Sequence, residues 1–96
     1  MVAVLLQFTV TPASQDQFDE LDVQVGEAMT QSGGPPDGLM AHVVYPGDGG
    51  FVVAGVWRME SDGQRFVADV LHPLLARLDL KASETTVRPV WSFARP

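Results

Sequence analysis

Three extended segments of this 96-residue chain are apolar on both faces, which doubles the surface that something else must cover. Val2, Val4, Leu6 and Phe8 fall on one face of the first, with Ala3 and Leu5 on the other. Leu39, Ala41, Val43 and Tyr45 oppose Met40, His42 and Val44 in the second, and Phe51, Val53 and Trp57 oppose Val52, Ala54 and Val56 in the third. A sheet covered by helices on one side and water on the other alternates apolar with polar residues instead. A second apolar face is a larger patch than a soluble monomer leaves open. A second copy of the chain, packed sheet to sheet about a two-fold axis, covers it most cheaply. A homodimer is therefore expected.

Punctuation along the chain sets the order of elements. The first strand, Val2 to Val10, ends at the Thr11-Pro12 breaker. Ser14 to Gln17 has the form of a capping box, and Phe18, Leu21, Val25, Ala28 and Met29 keep to one helical face, so a helix is predicted to about Gln31. Gly33-Gly34-Pro35-Pro36-Asp37-Gly38 cannot continue it. Strands at Leu39 to Tyr45 and Phe51 to Met59 flank a turn-rich segment of hairpin length. Ser61 to Gln64 repeats the capping pattern ahead of Phe66, Val67, Val70 and Leu74. This predicts a second helix to about Leu78, kinked or restarted near His72 because Pro73 lies inside it. Thr85 to Phe93 makes the last strand, and Pro89 suggests that it has a free edge on at least one side. The reading is one β-α-β-β-α-β domain over residues 1–96, an α+β fold with an antiparallel four-stranded sheet.

Charge and composition exclude several roles. Twelve acidic against six scattered basic residues give a net charge of −6, which repels phosphate backbones and anionic lipid, so neither nucleic acid nor membrane is expected as a partner. Without cysteine there is no thiol nucleophile, disulfide or iron–sulfur site. The N-terminal apolar run lacks a basic flank and is too short to span a bilayer, so a cytoplasmic location is the default. No phosphate-binding loop or dinucleotide fingerprint is present, and no serine sits in a nucleophile elbow.

With this order of elements, Gly38 to Val44 together with Gly50 to Trp57 resembles the dimeric α/β-barrel superfamily, and within it the antibiotic-biosynthesis-monooxygenase-like branch. The glycine before strand two, the Val-Ala-Gly-Val-Trp ending of strand three and the aromatic Phe66 early in the next helix carry the likeness. It implies a ferredoxin-like fold, a homodimer and a pocket between sheet and helices. The activity it implies is a cofactor-free monooxygenation of an aromatic or polyketide-like small molecule, with no metal or organic cofactor. A non-catalytic dimeric binding or structural module is the alternative. Leu6, Phe66 and Ala76 stand where heme-degrading members of the superfamily carry asparagine, tryptophan and histidine, which argues against heme degradation.

Candidate chemistry centres on His42, set mid-strand among apolar neighbours, where an imidazole can act as general base or as hydrogen-bond donor to a phenol or enol. The same position equally suits a structural histidine with a satisfied partner. Trp57 can wall a flat substrate or simply pack in the core, and Tyr45 and Phe66 allow the same two readings. His72, beside the helix break, either borders a pocket mouth or faces solvent. Gln7 can hydrogen-bond a ligand or a neighbouring buried group. The two histidines with Asp69 have the residue types of a metal facial triad, but nothing in their spacing brings them together, so no metal is expected.

Overall fold

The computed structural model describes residues 2–93; Met1 and residues 94–96, the ends of the predicted 1–96 domain, lie outside them. Strand β1 (Ala3–Val10) leads to helix α1 (Gln15–Gln31), a hairpin of β2 (Leu39–Gly47) and β3 (Gly50–Trp57), and a second helical stretch. That stretch comprises α2 (Glu60–Phe66), a π-helical turn (Val67–Leu71) and α3 (His72–Arg77), and β4 (Thr86–Val90) follows. The strands form one antiparallel sheet in the order β2-β3-β1-β4, the ferredoxin-like arrangement that the pattern predicts. Pro89 lies on β4, an edge strand, where its missing donor breaks no ladder.

Both helix starts read as capped, but only one is. Ser14 accepts from the Gln17 amide at 3.2 Å while Gln17 Oε1 accepts from the Ser14 amide at 2.8 Å, a complete capping box. The second helix starts two residues earlier than its pattern suggests: Met59 occupies the cap position and Ser61 already lies in the helix, with no side-chain cap. The interruption predicted at Pro73 is a π turn. Proline has no amide for the Asp69 carbonyl and its ring crowds that carbonyl, so the chain widens here and the His72 amide donates to Val67, five residues back.

The sheet faces also differ from simple alternation at one place. The register between β2 and β3 shifts between Leu39 and Ala41, so Leu39 pairs with Trp57 while Ala41 pairs with Val56. A residue inserted at Met40 turns Leu39 to the helix side, where it packs on the core, and leaves only Ala41, Val43 and Tyr45 on the outer face. The last strand is shorter than the predicted Thr85 to Phe93 because β1, its only partner, begins at Ala3, opposite Val90.

The core lies between the sheet and the helices. Leu6, Phe8, Val10, Phe51, Val53 and Trp57 from the sheet meet Leu21 and Val25 of α1 and Phe66, Val67, Leu71, Leu74 and Leu75 of the second helical stretch. The 17-residue α1 buries just those two side chains, whereas the second stretch supplies most of the helical share. The outer face carries Leu5, Gln7 and Thr9 of β1 against Val56, Ala54 and Val52 of β3, and the described helices pack on the other face. Val43 and Tyr45 stay exposed there, and no described helix is long and apolar enough to cross a membrane.

Candidate functional site

His42 projects on the helix side of β2, because its pairing with Gly55 puts it on the face of Leu6, the other partner of Gly55. Two small voids in the seam between sheet and helices share it. Phe8, Leu21, Asp22, Val25 and Leu75 are among the walls of one, and Leu6, Gly55, Trp57, Phe66 and Leu71 among those of the other. Each has a volume of about 10 Å³, so Phe8, Leu71 and their neighbours fill the space that was expected to be a pocket.

Burial among these apolar groups pushes the His42 imidazole below its ordinary range, and the charge of Asp22 on α1 pulls it partly back up. As an edge-strand residue His42 keeps much of its surface open, yet its titration follows the desolvated surroundings of the ring. At neutral pH the result is a neutral imidazole, able to accept a proton, with one carboxylate near enough to steady the cation that would form.

Trp57 lies along the strand toward this histidine. A side chain at Gly55 would start 2.7 Å from the indole Nε1, so the bare backbone of Gly55 is what lets the ring lie over it. The ring packs on Phe66 with centroids 5.6 Å apart and planes tilted by 44°. His42, Trp57 and Phe66 are thereby brought to one void.

The other predicted residues fall elsewhere. His72 is exposed and reaches the seam only through Phe8, with ring centroids 6.3 Å apart. Gln7 pairs with Ala54 and Tyr45 with Val52, both on the outer face, so alternation along their strands takes both away from His42. Tyr45 also lines an open cavity of about 350 Å³ between the start of α1 and the β2–β3 hairpin. A further cavity of about 330 Å³ opens between the end of α1, the 32–37 turn and the start of the second helical stretch, with Phe66 in its wall. Asp62 and Asp69 come from the second helical stretch and Asp37 from the turn before β2, and sequence reasoning missed the cavity because no local spacing links Asp37 and the end of α1 to that stretch. Among the described residues, no three histidine, aspartate or glutamate side chains converge to hold a metal ion.

No protein-family model matches the chain, and no curated protein matches it by sequence. Solved structures do match. A candidate antibiotic biosynthesis monooxygenase from Chloroflexus aurantiacus superposes with a TM-score of 0.63 at 13% identity, over 99% of this chain and 98% of that one. SnoaB from Streptomyces nogalater, described as a cofactor-independent oxygenase, matches with a TM-score of 0.56 at 19% identity, over 99% and 93%. A candidate antibiotic biosynthesis monooxygenase from Deinococcus radiodurans matches with a TM-score of 0.56 at 14% identity, over 97% and 95%. The chain has the fold of these proteins over essentially its whole length.

Proposed function

We propose that this chain is a cytoplasmic, homodimeric, cofactor-independent oxygenase that acts on an apolar aromatic or polyketide-like molecule in the seam beside His42. The observation that carries the reading is the place of His42, on the helix side of the sheet, lining the same small voids as Phe8, Trp57 and Phe66. The cofactor-independent oxygenase that shares the fold supports it.

Such a reaction takes its electrons from the substrate. His42 removes a proton from an activated CH₂ or its enol, and the anion passes electrons to dioxygen and bonds to it. The imidazolium returns the proton to the resulting peroxide, which loses water to leave a carbonyl. The balance is CH₂ plus O₂ giving C=O plus H₂O. Trp57 and Phe66 wall the ring system and keep water from the anion. His72 lies at the rim beyond Phe8. Gln7 and Tyr45, on the outer face, belong to the sheet-to-sheet contact of the dimer.

A substrate needs more room than two voids of about 10 Å³, and α1 is the wall able to supply it, because it is anchored by Leu21 and Val25 alone among fully buried residues. The tightness of the seam favours one competing reading, a dimer whose seam is plain core. Oxygen uptake with a panel of enolisable polycyclic phenols separates the two. Turnover that carries one ¹⁸O atom from ¹⁸O₂ into the product ketone, and that falls at least a hundredfold in His42→Ala, supports the oxygenase. Absence of uptake, with no shift of the Leu21 and Val25 amide signals on adding the panel, leaves the structural module.

A further inference from the structure

The 330 Å³ cavity at the end of α1 is lined by apolar side chains and by more acidic than basic groups. Its volume lies at the lower end of the small-molecule range. Met29, Pro36, Phe66 and Val70 give it an apolar floor, while Asp37, Asp62 and Asp69 supply three carboxylates against the single guanidinium of Arg65. Arg65 stands 3.4 Å from Asp62, one helical turn away, which leaves Asp37 and Asp69 without a cation in the lining.

The backbone contributes both signs: Met29 and Ser32 mark the C-terminal end of α1, whose last turn carries no basic residue, while Asp62 stands in the first turn of the second helical stretch, so the carboxylates decide the sign of the field. The carboxylates do not converge as metal ligands would, since no group of three donors able to hold an ion occurs among the described residues. A spread negative field over an apolar, partly aromatic floor fits a cation whose charge is attached to an apolar body.

We propose that this cavity binds a small organic cation, an ammonium group carried on an apolar or aromatic body, at a site separate from the His42 seam. The site goes beyond the oxygenase reading and does not depend on it; the two touch only through Phe66, which lines both.

The test is an amide-resolved NMR titration of the intact protein with 2-phenylethylammonium, 2-phenylethanol and 3-phenylpropanoate, which share an aromatic body and differ in charge. The ammonium ion saturates, shifting the signals of Met29, Ser32 and Val70, and binds more tightly than the alcohol, while the carboxylate leaves them in place. The double variant Asp37→Asn/Asp69→Asn weakens the ammonium several-fold, and Arg65→Gln, which removes the opposing charge at an exposed position, strengthens it. Equal binding of ammonium and alcohol, shifts confined to other parts of the chain, or unchanged affinity in either variant with its folded spectrum retained overturns the proposal.

Discussion

The Trp57 indole packs directly on the backbone of Gly63: a methyl group placed there would stand 2.9 Å from both Cδ1 and Cγ of the ring, and 3.0 Å from Leu6 Cδ2. Trp57 and Leu6 are buried, and the void they border is only about 10 Å³, too small to take up the displacement of a ring. An added methyl in a packed core costs about 1–3 kcal/mol, more than the gain of roughly 0.5–1 kcal/mol from replacing glycine by alanine in a helix. Gly63→Ala is therefore destabilising. Gly26→Ala is the control: it lies in α1, nothing stands within 4 Å of its added methyl, and it gains about 0.5–1 kcal/mol. Thermal unfolding checks both, with the two midpoints moving in opposite directions.

The pair of helix starts allows a similar comparison. Ser14→Ala removes a cap that is satisfied from both sides and costs about 1 kcal/mol. Ser61→Ala removes no cap and leaves stability within about 0.5 kcal/mol of the parent. Urea unfolding of the two variants measures the difference, and a cost at Ser61 equal to that at Ser14 would contradict the start at Glu60.

His42 ties the seam to pH. Its pKa in the folded protein lies below the ordinary imidazole value, so the unfolded chain takes up this proton first as the medium is acidified. The contribution of His42 to stability is whole above the ordinary value and declines as pH falls from there through the folded pKa. His42→Gln removes that share of the acid-side loss. Asp22→Asn removes the charge that pulls the imidazole upward, so the folded pKa drops further. An NMR titration of the His42 ring protons reads the shift directly, and an upward move in Asp22→Asn would show that the carboxylate does not act on the ring.

Legibility followed the range of the interactions. The order of elements, the Ser14 cap, the break before Pro73 and the edge position of Pro89 depend on a few neighbouring residues, and local pattern expresses them. The bulge at Met40 does not show in alternation, because Leu39, Met40 and Ala41 are all apolar and suit either face. Ser61 fits a cap pattern, but Met59, still extended, takes the cap position and Glu60 already begins the helix ahead of it. At the candidate site, alternation set Gln7 on the face opposite Phe8, and the register carries Tyr45 to that same side. The acidic cavity was hidden because the end of α1 and the turn with Asp37 meet Asp62 and Asp69 of the second helical stretch only through the fold.

The outer face yields the sharpest test of the proposed dimer. Val43 pairs with Ala54 near the middle of β2 and is 55% exposed, so a polar replacement there changes the stability of an isolated subunit by about 0.5 kcal/mol or less. In a two-fold contact the same residue appears twice, and Val43→Glu would set two carboxylates into a contact built from Leu5, Val43 and Val56, where Arg88 is the basic residue on β4 of the same face. The cost of burying unpaired charge is large beside the surplus that holds a standard interface of roughly 800 Å² per partner. Sedimentation velocity of the parent should give a dimer, and that of Val43→Glu a monomer with an unchanged circular dichroism spectrum. A parent that sediments as a monomer, or a variant that stays dimeric, would show that the face carrying Val43 and Tyr45 is not a contact between two copies.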